Sequence, residues 1–280
     1  MIRVENRTFD EERALYNLTD ALVKDCVFAG PADGESVLKE TRDVTVDSCV
    51  FSLRYPLWHA KGYELRNSRL DEKTRAPLWY SFNGIIDGTK INGVKALREC
   101  GGTVITNCDI ESPEFGWKTD RTRLRGGRLA SEYAFFDSKN IEIDGLAFFG
   151  KYSFQYVENL TISNSVLDTK DAFWHSKNVT VTDCVVKGEY LAWFSEGLTL
   201  VRCVISGTQP LCYCKNLKLI DCETSGCDLS FEYSDVEATI NGRVESVKNP
   251  RSGSITADEI GEIILEDSIM ECAAEINVRK

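Results

Sequence analysis

The 280-residue sequence predicts an all-β fold, a single-stranded parallel β-helix of about 19 residues per coil with terminal caps. Three observations predict it: phrases of one shape recur at a fixed step, each alternates apolar and polar residues, and no helical stripe separates them. The phrases are Asn159-Leu-Thr-Ile-Ser-Asn-Ser165, Asn178-Val-Thr-Val-Thr-Asp-Cys184, Gly197-Leu-Thr-Leu-Val-Arg-Cys203 and Asn216-Leu-Lys-Leu-Ile-Asp-Cys222. Their last residues step by 19, and the step runs back through Leu146, Gly127 and Cys108. Cys49 and Ser68 keep the same step, with a two-residue slippage before Cys108. Alternation over short stretches rich in Val, Ile, Leu and Thr is the period of a strand. Parallel strands usually need crossover helices. Without them, coils stacked directly on one another are the solution that remains.

In chain order, residues 1–24 are expected to form an N-terminal cap, with a short helix in 9–24 closing the open sheet edge. Coils fill 25–257. Residues 258–280 form a C-terminal cap, in which Ile260, Ile263, Ile264, Leu265 and Ile269 cover the last coil. The whole chain, 1–280, reads as one β-helix domain.

Columns read down the stack assign faces. Asn140, Asn159, Asn178, Gly197, Asn216 and Asp235 are residue types that tolerate left-handed backbone, so they mark a tight corner. Ile141/Leu160/Val179/Leu198/Leu217 and Ile143/Ile162/Val181/Leu200/Leu219 then alternate inward. Cys108, Gly127, Ser165, Cys184, Cys203 and Cys222 form a small column that fills a narrow interior. Zinc sites use converging Cys-x2-4-Cys clusters, whereas a column sets thiols on parallel vectors, so no metal and no cofactor are expected.

A third face holds aromatics. One column reads Trp58, Trp79, Trp117, Phe136, Gln155, Trp174, Trp193, Cys212, Phe231, and its neighbour reads His59, Tyr80, Lys118, Asp137, Tyr156, His175, Phe194, Tyr213, Glu232. The charged members of the second column put it outside and the Trp column inside. Strict alternation then turns Leu57, Leu78, Phe135, Phe154, Phe173 and Leu211 outward as well, giving an apolar ribbon. Ribbons of this kind usually contact something.

Lys plus Arg number 33 against 44 Asp plus Glu, a net charge of −11, which disfavours nucleic acid and anionic membranes as partners. No apolar run is long enough to span a bilayer. The start Met1-Ile2-Arg3-Val4-Glu5-Asn6-Arg7 lacks a signal-peptide stretch, and eleven cysteines without one predict reduced thiols in the cytoplasm.

The phrases Gly34-Glu-Ser-Val-Leu-Lys-Glu40, Tyr55-Pro-Leu-Trp58, Arg75-Ala-Pro-Leu-Trp-Tyr80, Lys170-Asp-Ala-Phe-Trp174, Gly188-Glu-Tyr-Leu191, Phe231-Glu-Tyr-Ser234 and Ser246-Val-Lys-Asn-Pro250 closely resemble an uncharacterised bacterial domain-of-unknown-function family. The resemblance covers nearly the whole chain, with an extension after about Asp267. It implies a right-handed parallel β-helix of pectin-lyase-like type, and it carries no activity over.

Polysaccharide lyases need carboxylates for calcium and a basic residue to abstract a proton, and galacturonan hydrolases carry short acidic signatures on adjacent coils. The signatures Asn-Thr-Asp, Asp-Asp and Gly-His-Gly are absent, and the nearest acidic pair, Asp168 and Asp171, reads as a solvated turn. The exposed column offers His175, Tyr156 and Asp137 as catalytic candidates, since histidine titrates near neutrality and rings make sugar platforms. Tyr80, His59 and Tyr213 are ligand-binding candidates on the same column. Arg125 and Arg128, in phase with Arg66 and Arg69, make a basic patch that would suit an acidic sugar or simply pair with Asp87, Asp109 and Glu111. Two functions follow. The first is a non-catalytic β-helix that binds carbohydrate or a partner, a second copy included, through the aromatic face. The alternative is a lyase or glycoside hydrolase acting on an acidic glycan.

Overall fold

The computed structural model describes residues 1–30 and 35–279; Gly34 of the quoted phrases and Lys280 of the C-terminal segment lie outside the described residues. The chain is an all-β parallel solenoid, and it divides into two compact units, Met1–Glu142 and Ile143–Lys280. Among the described residues the only helical element is the 3-10 turn Glu72–Thr74, capped by the Asp71 carboxylate on the Lys73 N–H.

In Met1–Glu142, each coil lays a strand in parallel on the next. The inward residues run Ala21, Val44, Tyr63 by direct pairing, then Leu65, Ile86, Ile105, Leu124. Most steps are 19; that from Ala21 to Val44 is 23 (44 − 21), and that from Leu65 to Ile86 is 21 (86 − 65), its two extra residues being the slippage seen in the sequence. They fall in the coil that carries Glu72–Thr74. Phe9, Phe28 and Phe51 stack inside with centroids 5.3 and 4.6 Å apart. In Ile143–Lys280, Leu160, Val179 and Leu198 pair in register, and Leu200 continues to Leu219 and Ala238. All of these inward side chains are buried, so apolar burial at about 25 cal/mol per Å² drives each coil onto its neighbour.

The small column does more than fill space. The Cys49 N–H donates to the Ser68 hydroxyl of the next coil at 3.1 Å, and that of Leu146 to Ser165 at 3.0 Å. The Ser68 and Ser165 hydroxyls then donate to the carbonyls of Arg66 and Ser163. Each small residue thus satisfies a buried N–H that the corner removes from the ladder. Cysteine does the same through sulfur, as Cys184 accepts from the Ser165 N–H at 3.4 Å. All eleven cysteines are free thiols. Gly127 departs from this column: it is exposed at φ 80°, where a Cβ would lie 2.3 Å from the Cys108 carbonyl oxygen.

The corner column is left-handed at Asn140, Asn159, Asn178, Gly197 and Asn216, with φ between 52° and 70°. Asp235 is not; it opens the strand Asp235–Lys248 and pairs with Arg251. Both caps differ from expectation. Residues 9–24 form a coil instead of a helix, because Arg13, Asn17 and Asp20 turn left-handed and Leu15 and Asn17 donate across to Val37 and Lys39. At the other end, Ser252–Ile264 continues the ladder, pairing Val244 with Ile260 and Val247 with Ile263. Ile263, Leu265 and Ile269 are consequently exposed, at 47, 60 and 85%, and do not cover the last coil.

Candidate functional site

The aromatic face is built from a turn, and the turn overturns the expected orientation of its residues. Leu57, Leu78, Phe135, Phe154, Phe173 and Leu211 are not outward: all are 0–1% exposed. At Phe135, Phe154, Phe173 and Leu211 two-residue alternation fails because the backbone is left-handed, whereas Leu57 and Leu78 lie in the two-residue strands Leu57–Trp58 and Leu78–Trp79. In the turn around Trp174 both flanking residues are left-handed, Phe173 at φ 62° and His175 at φ 55°. The Phe173 N–H donates back to the Ser153 carbonyl at 2.9 Å, and the His175 N–H forward to the Trp193 carbonyl at 3.1 Å. Turns around Gln155 and Cys212 repeat the device, with Phe154 and Tyr156 at 59° and 56°, and Leu211 and Tyr213 at 64° and 60°. Left-handed backbone costs a non-glycine residue roughly 1–2 kcal/mol, and burial of the Phe or Leu side chain offsets that cost. The Trp column between them is neither inside nor outside. Its rings are half-buried, with the indole N–H of Trp174 and Trp193 donating to the carbonyls of Tyr190 and Gln209 at 2.6 and 2.8 Å.

In Ile143–Lys280 this turn lines up one outward ring per coil. Tyr156, His175, Phe194 and Tyr213 stack with centroids 5.0, 5.1 and 4.8 Å apart and planes within 9–14°. Tyr233 extends the ladder at 5.8 Å. The sequence columns put Glu232 at this end. The coil from Leu211 to Phe231 has 20 residues (231 − 211), which moves Phe231 into the buried column and Glu232 beneath the ladder. There the Tyr213 hydroxyl donates to Glu232 at 3.4 Å while Lys248 pairs with the same carboxylate at 2.9 Å. Burial first, and the Glu232 charge second, push the Tyr213 phenol up.

Of the three catalytic candidates, the structure brings His175 and Tyr156 into ring contact. Both faces of the imidazole are occupied, by Tyr156 and Phe194, and no side chain among the described residues hydrogen-bonds to it. Asp137 is exposed in the Met1–Glu142 unit, at φ 53°. In that unit His59 and Tyr80 are also neighbours, at 5.2 Å and 31° between planes. Register places Arg125 in line with Arg66, and Arg128 in line with Arg69, as the sequence spacing implied. Much of the patch is paired: Arg128 and Lys90 both reach Asp109, Arg66 reaches Asp87, and Arg123 reaches Glu142. Arg125 is exposed.

Sequence reasoning missed two polar features. Arg98 lies between two indoles, 5.3 Å from Trp79 and 4.9 Å from Trp117, and pairs with Glu114 at 3.1 Å. It occupies the Trp column, where the 19-residue register from Trp117 would have found it. Asp171, read as a solvated turn with Asp168, is 7% exposed, and its carboxylate has no hydrogen bond or ion pair among the described residues. Desolvation raises its pKa, Lys170 opposes that rise, and Glu189 adds to it. Asp168 is exposed as expected. Among the described residues, no three His, Cys, Asp or Glu side chains converge as metal ligands would, and no helix is long and apolar enough to cross a membrane.

Among solved structures, a variant catalytic domain of GH87 alpha-1,3-glucanase in complex with tetrasaccharides matches 99% of this chain and 63% of its own, at 10% identity and TM-score 0.32. The periplasmic alginate epimerase AlgG matches 94% of this chain and 76% of its own, at 10% identity and TM-score 0.24. The chain therefore spans 63% of the length of the glucanase domain it matches. No curated protein matches it. A family model described as a protein of unknown function (DUF3737) matches residues 2–277, and the chain belongs to that family.

Proposed function

We propose that the protein is a non-catalytic β-helix whose exposed ring ladder, Tyr156 to Tyr213, is an interaction surface. The observation that carries this reading is the parallel stacking of the rings, with planes within 9–14°. Sugar rings dock on aromatic faces, and in this ladder the inner faces are already used by neighbouring rings. What faces solvent is a row of ring edges, with Tyr156 and Phe194 still 49 and 46% exposed. An apolar row of that kind favours a covering partner. Acid/base catalysis at His175 would need a group to orient the imidazole, and Tyr156 and Phe194 offer only ring faces.

A carbohydrate ligand is the second reading. It is favoured at His59 and Tyr80, whose planes diverge by 31° and leave Tyr80 39% exposed.

Hydroxyl-radical footprinting inside cells, compared with dilute purified protein, tests the interaction reading without knowing the partner. Tyr156, Phe194 and Tyr213 should label less in cells, while the exposed Phe149 and Tyr80 label equally. Equal labelling of the ladder in both settings would end the interaction reading. Protection confined to Tyr80 would favour the carbohydrate one.

A further inference from the structure

We infer that the occupant of the ladder is a second copy of this chain, docked antiparallel about a twofold axis that passes between the coils of His175 and Phe194. This rests on the interaction reading above and names its partner.

The argument lies in the charges beside the rings. Two residues after each ring stands an exposed charged residue: Glu158 after Tyr156, Lys177 after His175, Glu196 after Phe194, Lys215 after Tyr213. Strand register places them in one column, Glu158 beside Lys177, Lys177 beside Glu196, and Glu196 beside Lys215. Signs therefore alternate over the four coils from Tyr156 to Tyr213, while the charge two residues after Tyr233, Asp235, is already held by Arg251. Among the described residues none of the four forms an ion pair within 4.0 Å, so their charges remain available to a partner.

An alternating column with an even number of members has a particular symmetry. Reversed against itself, it sets Glu158 opposite Lys215 and Lys177 opposite Glu196, each pair occurring twice. Laid against itself in the same direction, it sets like on like. A closed twofold contact requires self-complementarity of this kind, and matched charges at the rim of an apolar patch fix register. The same operation sets Tyr156 against Tyr213 and His175 against Phe194, so rings meet rings under the flanking charges. The four-coil patch is narrow, which places the dimer among weak, concentration-dependent associations.

Sedimentation velocity on the full chain, over a concentration series centred on the micromolar range, tests the inference. Wild type should shift from monomer to dimer. Lys177→Glu places Glu opposite Glu196 twice and should weaken the dimer by about tenfold or more. The double variant Lys177→Glu/Glu196→Lys restores opposite charges across the axis and should return affinity to near wild type. It does so although it leaves like charges adjacent within each chain, so recovery cannot come from intrachain repair. Glu158→Lys with Lys215→Glu repeats the cycle at the outer pair, should either inner variant fold poorly by circular dichroism.

A wild type that stays monomeric at the highest concentration overturns the inference, and so does a double variant as weak as the single one. If wild type is monomeric while the ladder is protected in cells, the second-copy inference fails and the interaction reading stands. If the ladder is labelled equally in cells, both fail.

Discussion

Replacing Phe173 with alanine and with glycine separates the two energies that build the aromatic turn. The ring is 0% exposed and stacks on Phe154 at 5.2 Å, so truncation to alanine should cost about 3–5 kcal/mol. Its backbone sits at φ 62°, where alanine is strained by roughly 1–2 kcal/mol and glycine is not. Glycine's extra freedom in the unfolded chain returns about half of that. Phe173→Gly should therefore be more stable than Phe173→Ala by roughly 0.5–1 kcal/mol. Phe148 is the control: equally buried, it lies in the strand Ala147–Gly150 and is not left-handed. There the order should reverse, with glycine below alanine by about 0.5–1 kcal/mol. Urea unfolding followed by circular dichroism measures all four variants. If alanine is the more stable residue at both positions, the paired left-handed turn is wrong, and with it the account of why the rings face out.

Other consequences follow from the same geometry. The Asp171 carboxyl is raised by desolvation, so the folded chain holds its proton more tightly than the unfolded chain, whose carboxyl keeps its ordinary pKa near about 3.9. Its contribution to stability is present below that value and is lost as pH rises through the higher folded pKa; Asp171→Asn should flatten melting temperature against pH in that window and raise it at neutrality. Burial pushes the thiols of Cys49, Cys100 and Cys212 up to about 12 and those of Cys184, Cys214 and Cys227 to about 11. Of the eleven cysteines only Cys272 is not buried, so a thiol reagent at mildly alkaline pH should titrate one group natively and all after unfolding; fast reaction of several would contradict the buried column. Gly127→Ala sets a Cβ 2.3 Å from the Cys108 carbonyl at φ 80° and should destabilise by about 2 kcal/mol or more in the same urea assay. A reducing-end and unsaturated-product screen on uronate-containing oligosaccharides should show no turnover; turnover abolished by His175→Ala would establish the enzymatic alternative.

The coil length and the inward columns were legible because they rest on the spacing and alternation of residue types. Asn178-Val-Thr-Val-Thr-Asp-Cys184 carries its corner, its core residues and its small hydrogen-bonding residue in plain order, and neighbouring coils repeat it. The aromatic turn was only half legible. Its exposed column was readable from the charges it contains, but Phe173 looked outward because alternation presumes extended backbone. Aromatic side chains give no sequence signal for positive φ, unlike the Asn and Gly of the corner. Glu232 was misplaced by a single added residue, since a period carries no notice of where it breaks. The ends failed for another reason. Residues 9–24 and 258–264 carry apolar residues that suit a helix or a cap equally well, and only pairing with an existing coil makes them strands. The self-complementary charges beside the ladder were visible in the letters, but they mean something only once Glu158, Lys177, Glu196 and Lys215 share one column.

The most direct measurement is radical footprinting of the purified chain at low and at high concentration, read residue by residue. Tyr156, Phe194 and Tyr213 should lose reactivity as concentration rises, while Phe149 and Tyr80, exposed to a similar degree, should not change. Protection that spreads evenly over the surface, or that never reaches the ladder, would contradict the claim that these stacked rings are where the protein meets its partner.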